Sequence, residues 1–156
     1  MADVEGLNES EARAWRGYQR MRTLLTAQLA RDLSHDSDLS EPDYTVLSNL
    51  SEAEGHRWRL NELSARMLWS KSRLSHHIAR MEERGLVTRE ECATDGRGAF
   101  VVLTRQGMRA IERAAPSHVA SVRRNLIDLL TPAEIDALAA ISQKVVAHLS
   151  RPTAPA

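Results

Sequence analysis

The sequence predicts a mainly α protein with a small β-hairpin wing: a winged helix-turn-helix between N- and C-terminal dimerisation helices. Three observations carry that prediction. Apolar residues recur at helical spacing near both ends of the chain. Two short helical patterns in the middle are joined by a tight turn, and the second is serine-capped and basic. Directly behind it the pattern changes to two strand-like runs around a glycine-bearing turn.

Each element has its own signals. From Asn8, the residues Trp15, Tyr18, Leu25, Leu29 and Leu33 form one helical stripe, with Arg22 interrupting it. Asn8 and Glu11 are spaced as a capping box. Ser40 and Asp43 repeat that box with Pro42 in the first turn, opening a helix with Tyr44, Leu47 and Leu50 on its apolar face until Gly55. Asn61 is expected to cap a short helix that buries Leu60, Leu63 and Met67. After a turn at Leu68–Trp69, Ser70 caps the next helix, with Leu74, Ile78 and Met81 inward and Gly85 closing it. Its other positions, Lys71, Ser72, Arg73, Ser75, His76, His77 and Arg80, are polar.

Residues 86–92 and 99–103 read as strands around a tip that carries Arg97 between Gly96 and Gly98. Thr104 caps a helix expected to run toward Leu129–Leu130, kinked or divided at Pro116. Thr131, Pro132 and Glu134 open a last helix with Ile135, Leu138, Ile141, Val145 and Leu149 on one face. The organisation expected is dimerisation helices at 8–35 and 105–150 and a DNA-binding lobe at 40–104. Within the lobe lie a recognition helix at about 70–84 and a wing at about 86–103, and 151–156 form a disordered tail.

Composition narrows the function. The 156 residues are enough for one domain with a real core, and 42% hydrophobic content is too apolar for disorder. No run approaches the ~18 apolar residues of a membrane span, and a single cysteine excludes an internal disulfide framework. A cytoplasmic protein without membrane contact is expected. The net charge is zero, yet between His56 and Arg109 eleven basic residues face six acidic ones. A basic centre between acidic ends suits a nucleic-acid reader. No phosphate loop, His-Glu-x-x-His or nucleophile elbow is present, so no enzyme and no cofactor are expected.

Four stretches resemble the MarR family of bacterial transcriptional regulators. They are Leu60-Asn61-Glu62-Leu63-Ser64-Ala65-Arg66, Met81 to Arg89 with its Glu-Glu-Arg-Gly-Leu core, Asp95-Gly96-Arg97, and Leu103-Thr104-Arg105-Gln106-Gly107. They occur in register, and the resemblance covers roughly residues 8 to 150. It implies an obligate homodimer, with an effector bound between the dimerisation helices and the reading lobe. The long apolar stripes of the end helices independently call for a partner surface.

With the Leu74/Ile78/Met81 stripe inward, Ser72, Arg73 and His76 lie outward near the helix N-terminus, where base edges are read. Ser70 and Lys71 belong to the same DNA-facing end. Arg73 can fork onto a guanine, whereas Ser75 and Arg80 suit phosphates. Arg97 is placed in the minor groove, and Asp95 matches the acidic member of the family's Asp-x-Arg wing motif. Trp15, Tyr18 and Tyr44 are the candidate effector-pocket residues. No metal site is expected: His76 and His77 point about 100° apart on a helix, and His35-Asp36-Ser37-Asp38 is at best a weak loop site. Cys92 has no resolving partner for a thiol switch. The expected function is a homodimeric, sequence-specific regulator of double-stranded DNA with a pseudo-palindromic operator, acting as a repressor released by a small molecule. The alternative is a winged-helix module that binds a protein partner without reading DNA.

Overall fold

The computed structural model describes residues 6–91 and 98–150. Cys92, Asp95, Gly96, Arg97 and the 151–156 tail, each given a role above, lie outside them. The element order is α1 (Glu9–Asp36), α2 (Glu41–Glu52), β1 (Arg57–Arg59), α3 (Leu60–Met67), α4 (Lys71–Glu83), β2 (Val87–Glu91), β3 (Ala99–Leu103), α5 (Arg105–Asn125) and α6 (Pro132–Leu149). The chain divides into two compact units, residues 29–119 and residues 1–28 with 120–156. The division falls inside α1 and α5.

The 29–119 unit is the winged lobe. Its three-stranded antiparallel sheet has the order β1-β3-β2, with Trp58 opposite Val101 and Arg89 opposite Val101 on the other side. The apolar faces of the helices close the core: Val46, Leu47 and Leu50 from α2, Leu63 from α3, and Leu74, Ile78 and Met81 from α4 are fully buried. Fully burying one such side chain stabilises by ~1.5–3 kcal/mol.

The caps explain where the helices begin. Ser40 Oγ accepts from the Asp43 N–H (3.2 Å) while the Ser40 N–H donates to Asp43 Oδ2 (2.9 Å). Ser70 Oγ accepts the Arg73 N–H at 3.1 Å and starts α4. The expectation for Asn61 is corrected: α3 starts after Arg59 without a side-chain cap, and Asn61 lies in the first turn, where its carbonyl accepts from Ser64 Oγ. The sequence pattern does not disclose β1. It follows a turn in which Gly55 and His56 both have positive φ, and its three residues are too few to show a period.

Both ends of the helix-turn-helix close by the same device. At Gly85 (φ +72°) the Gly85 N–H reaches Glu82 O and the Leu86 N–H reaches Met81 O. At Leu68 (φ +54°) the Leu68 N–H reaches Ala65 O and the Trp69 N–H reaches Ser64 O. This is the Schellman pattern, which places one residue in the left-handed region that favours glycine. Leu68 takes that slot with a side chain, 91% exposed.

Residues 84–86 and 104–107 are knitted together. Thr104 Oγ1 donates toward Gly85 O (2.6 Å) and accepts the Gly107 N–H (2.9 Å), and Gln106 Nε2 donates to Arg84 O (3.0 Å). A Cβ at Gly107 would run into the Leu86 carbonyl, so the start of α5 lies directly against the chain leaving α4. Two of the four resembling stretches thus meet in one joint.

The other unit comprises the first part of α1, the end of α5, a 3-10 turn at Ile127–Leu129 and α6. The Asn8–Glu11 and Thr131–Glu134 capping boxes both form. Of the two outcomes expected at Pro116, division does not occur: α5 runs through it, and the carbonyl deprived of its donor is that of Glu112 on an exposed stretch, which water can serve. One expectation for α5 needs correction. The helix ends at Asn125 rather than continuing to Leu130, with Leu126 at φ −141° turning the chain into the 3-10 segment. None of the α6 residues is buried.

Candidate nucleic-acid interface

Helix α4 exposes one polar side along its length. Ser70, Lys71, Ser72, Arg73, His76 and Arg80 are exposed, while Leu74, Ile78 and Met81 lie inward as their spacing predicts. No acidic residue occupies the first turn. The helix N-terminus and four cationic or imidazole side chains therefore present a surface suited to a polyanion.

The individual side chains are held differently. The Arg73 guanidinium lies over the Trp69 indole, its Cζ 3.9 Å from the ring centroid. Ser75 is half-buried rather than outward: its carbonyl accepts from Arg89 Nη2 at 2.6 Å, and its hydroxyl lies 3.4 Å from the same nitrogen. Arg89 also pairs with Glu82, whose Oε1 accepts the Arg89 N–H at 2.9 Å. The start of the wing is thereby tied to the back of α4.

His77 corrects the polar reading of this helix. It is only 7% exposed, so the buried face of α4 is wider than the 74/78/81 stripe. Its Nδ1 accepts from Arg80 Nη2 at 3.0 Å, and its Nε2 stands 3.0 Å from Asp43 Oδ1, off the line of a good hydrogen bond. Asp43, 2% exposed, also accepts from Arg84 Nη1 at 2.7 Å, while Arg84 Nη2 reaches the Asp38 carbonyl at 2.6 Å. Burial and the positive charges of Arg80 and Arg84 hold the His77 pKa below its ordinary value, against the pull of Asp43. For Asp43, burial pushes upward, but the bonds from Arg84 and Ser40 outweigh it and the carboxyl ends below its usual range. Near pH 7 the network is a carboxylate, a neutral imidazole and two guanidinium groups. It locks the start of α2 onto α4.

The pocket candidates belong to different units. Trp15 and Tyr18 stack on α1 with ring centroids 5.8 Å apart and remain about half exposed. Tyr44 packs against the lobe core with its ring 4.4 Å from that of His118. A cavity of about 520 Å³ exists in the lobe, lined by residues that include His35, Asp38, Arg84, Gln106 and Arg113, and by none of those three aromatics. His35 and Asp36 close the last turn of α1 rather than sitting in a loop, and the His35 ring bonds its neighbour Asp36 at 2.9 Å. Among the described residues no group of three or more His, Cys, Asp or Glu side chains could hold a metal ion. No helix of the described residues is long and apolar enough to cross a membrane.

Comparison with known proteins gives this geometry its context. The MarR family profile matches residues 37–98. Transcriptional regulator HosA of Escherichia coli O127:H6 is 33% identical over 102 residues, which span 65% of this chain and 73% of that protein. The chain belongs to the MarR family. Two solved structures from Streptomyces coelicolor are similar over nearly the whole chain. AbsC, a MarR family transcriptional regulator, is 45% identical with a TM-score of 0.87, over 94% of this chain and 98% of that one. Sco3205, solved in complex with DNA, is 38% identical with a TM-score of 0.89, over 96% and 94%. The chain therefore stands in a family of winged-helix transcriptional regulators, not of enzymes.

Proposed function

We propose that the protein is a homodimeric repressor that reads a pseudo-palindromic double-stranded operator with α4 and the wing, in the cytoplasm, and is released by a small molecule. The observation that carries DNA reading is the exposed side of α4, with Ser70, Lys71, Ser72, Arg73 and His76 at its N-terminal end and Arg80 one turn beyond. On this reading Arg73 contacts a base edge and Arg80 a phosphate, as recognition helices do from these positions. Ser75, half-buried with its hydroxyl 3.4 Å from Arg89 Nη2, is assigned with Arg80 to the phosphates. Arg97, oriented by Asp95, enters the minor groove beside it.

Dimerisation is supported by α1 and α6. Trp15, Tyr18, Met21 and Leu24 on the one and Ile141, Val145, Val146 and Leu149 on the other are exposed apolar residues at helical spacing. Helices in proteins draw most of their stability from packing an apolar face, so the exposed face of α6 calls for a surface to pack on. Two copies would place two α4 helices on successive turns of one operator. The effector part of the proposal rests on the stacked Trp15 and Tyr18 rings of α1, an aromatic surface for an apolar ligand.

The test is a salt series. Binding of the purified protein to a duplex from upstream of its own gene should fall steeply with salt, and a duplex of scrambled sequence should bind more weakly at every concentration. Equal affinity for both duplexes, or none for either, sets the reading aside in favour of a protein-binding module.

A further inference from the structure

We propose that Trp69 is a positioning residue for DNA reading: its indole is a fixed platform that holds the Arg73 guanidinium at the groove-facing side of α4. This rests on the reading of α4 as the DNA-reading helix and adds a residue that no charge count would select.

Trp69 sits in the turn between α3 and α4, between left-handed Leu68 and the N-cap Ser70. Its backbone N–H is anchored on Ser64 O at 3.0 Å, and its half-buried ring packs against the lobe core. The His77 ring meets it edge-on, with centroids 5.7 Å apart and planes at 89°. His77 is itself held by Arg80 and Asp43. The indole is thus fixed from the backbone, the core and the His77 ring. Over the same ring stands the Arg73 Cζ, 3.9 Å from the indole centroid.

This geometry favours reading over sequestration. A guanidinium stacks through its flat face, whereas its five N–H groups lie in its plane. Stacked by that face on Trp69, the guanidinium would keep its hydrogen-bonding edge for a bidentate contact with guanine O6 and N7. An arginine already stacked has less rotamer freedom to lose on docking than one free in solvent. Ser70 contributes from the other side by fixing the Arg73 backbone through its cap bond.

The experiment uses the full-length protein and selection from a randomised DNA duplex library, followed by titration of the best selected site. Arg73→Ala should flatten the preference at one position in each half-site. Trp69→Leu should flatten the same position and weaken binding ~5-fold, in the range set by a partly desolvated cation–π contact. Trp69→Phe should restore most of the preference, and Trp69→Leu should add little once Arg73 is already Ala. If Arg73→Ala leaves the profile unchanged, the base-reading assignment falls and the platform with it. If Arg73→Ala flattens the profile while Trp69→Leu keeps it sharp, the platform alone is overturned.

A measurement on the unmutated protein covers the case in which Trp69→Leu does not fold. The Arg73 δ-proton resonances of the free wild type, assigned by their absence in Arg73→Ala, should be shifted upfield by the indole ring current. Resonances at ordinary arginine positions would overturn the proposal.

Discussion

Four of the thirteen residues of α4 are buried, whereas none of the eighteen of α6 is, although both carry apolar residues at helical spacing. Leu74, Ile78 and Met81 close onto α2, α3 and the sheet of the same chain. Ile141, Val145 and Leu149 stand 50–74% exposed. Periodicity alone states that a helix has an apolar face, not where that face is satisfied. The lobe closes its core within one chain. The exposed apolar faces of α1 and α6 are the surface on which we propose that a second copy packs.

That contrast can be broken at either side. The largest effect is expected in the lobe, where Leu74→Ala should lower stability by ~2–5 kcal/mol, read from the shift of the urea midpoint. Ile141→Glu should be equally damaging for a different reason. It places a charge in the proposed interface, so the species of two chains should give way to one of 17.4 kDa, and DNA binding should fall with it. If Ile141→Glu leaves mass and DNA binding unchanged, the end helices do not meet a partner there.

A pH series sharpens the comparison, since the buried polar network belongs to the lobe. His77 has a folded pKa below its ordinary value, so the unfolded chain takes up the proton first. Its contribution is complete above roughly pH 6.5 and declines as pH falls toward the folded value. Asp43, also lowered, contributes above its ordinary value near roughly 3.9 and loses that contribution as pH falls through the folded one. Both slopes point to unfolding in acid. His77→Gln should remove the upper decline and Asp43→Asn the lower, measured by urea midpoints across the range.

Smaller effects follow from the caps. Ser40→Ala removes the acceptor for the Asp43 N–H and should cost ~1 kcal/mol in thermal or urea unfolding. Leu68→Gly should be the mildest change, stabilising by less than about 1 kcal/mol. Relief of the left-handed conformation is partly offset by the entropy of glycine, and the 91% exposed side chain gives up little burial.

What the sequence discloses follows the range of the interactions. The Asn8–Glu11, Ser40–Asp43 and Thr131–Glu134 boxes are three residues long, and each forms where the pattern places it. The inward stripe of α4 and its outward Ser72, Arg73 and His76 follow from spacing alone. Two of the missed features depend on residues far apart in the chain. His77 reads as one more polar position until Asp43, thirty-four residues earlier, is seen beside it. β1 exists because β3 offers it an edge, and Arg57-Trp58-Arg59 carries no pattern of its own. Trp69 reads as a turn residue, and its role emerges only with Arg73 stacked on it. A one-turn look-ahead at position 73 was the available signal.

The most direct test of the whole account is the sequence motif that the wild-type protein selects from a randomised DNA duplex library. A dimer that reads with two copies of α4 predicts two inverted half-sites with centres about one helical turn, ~10 base pairs, apart. A lone half-site, or no enriched sequence at all, would contradict it.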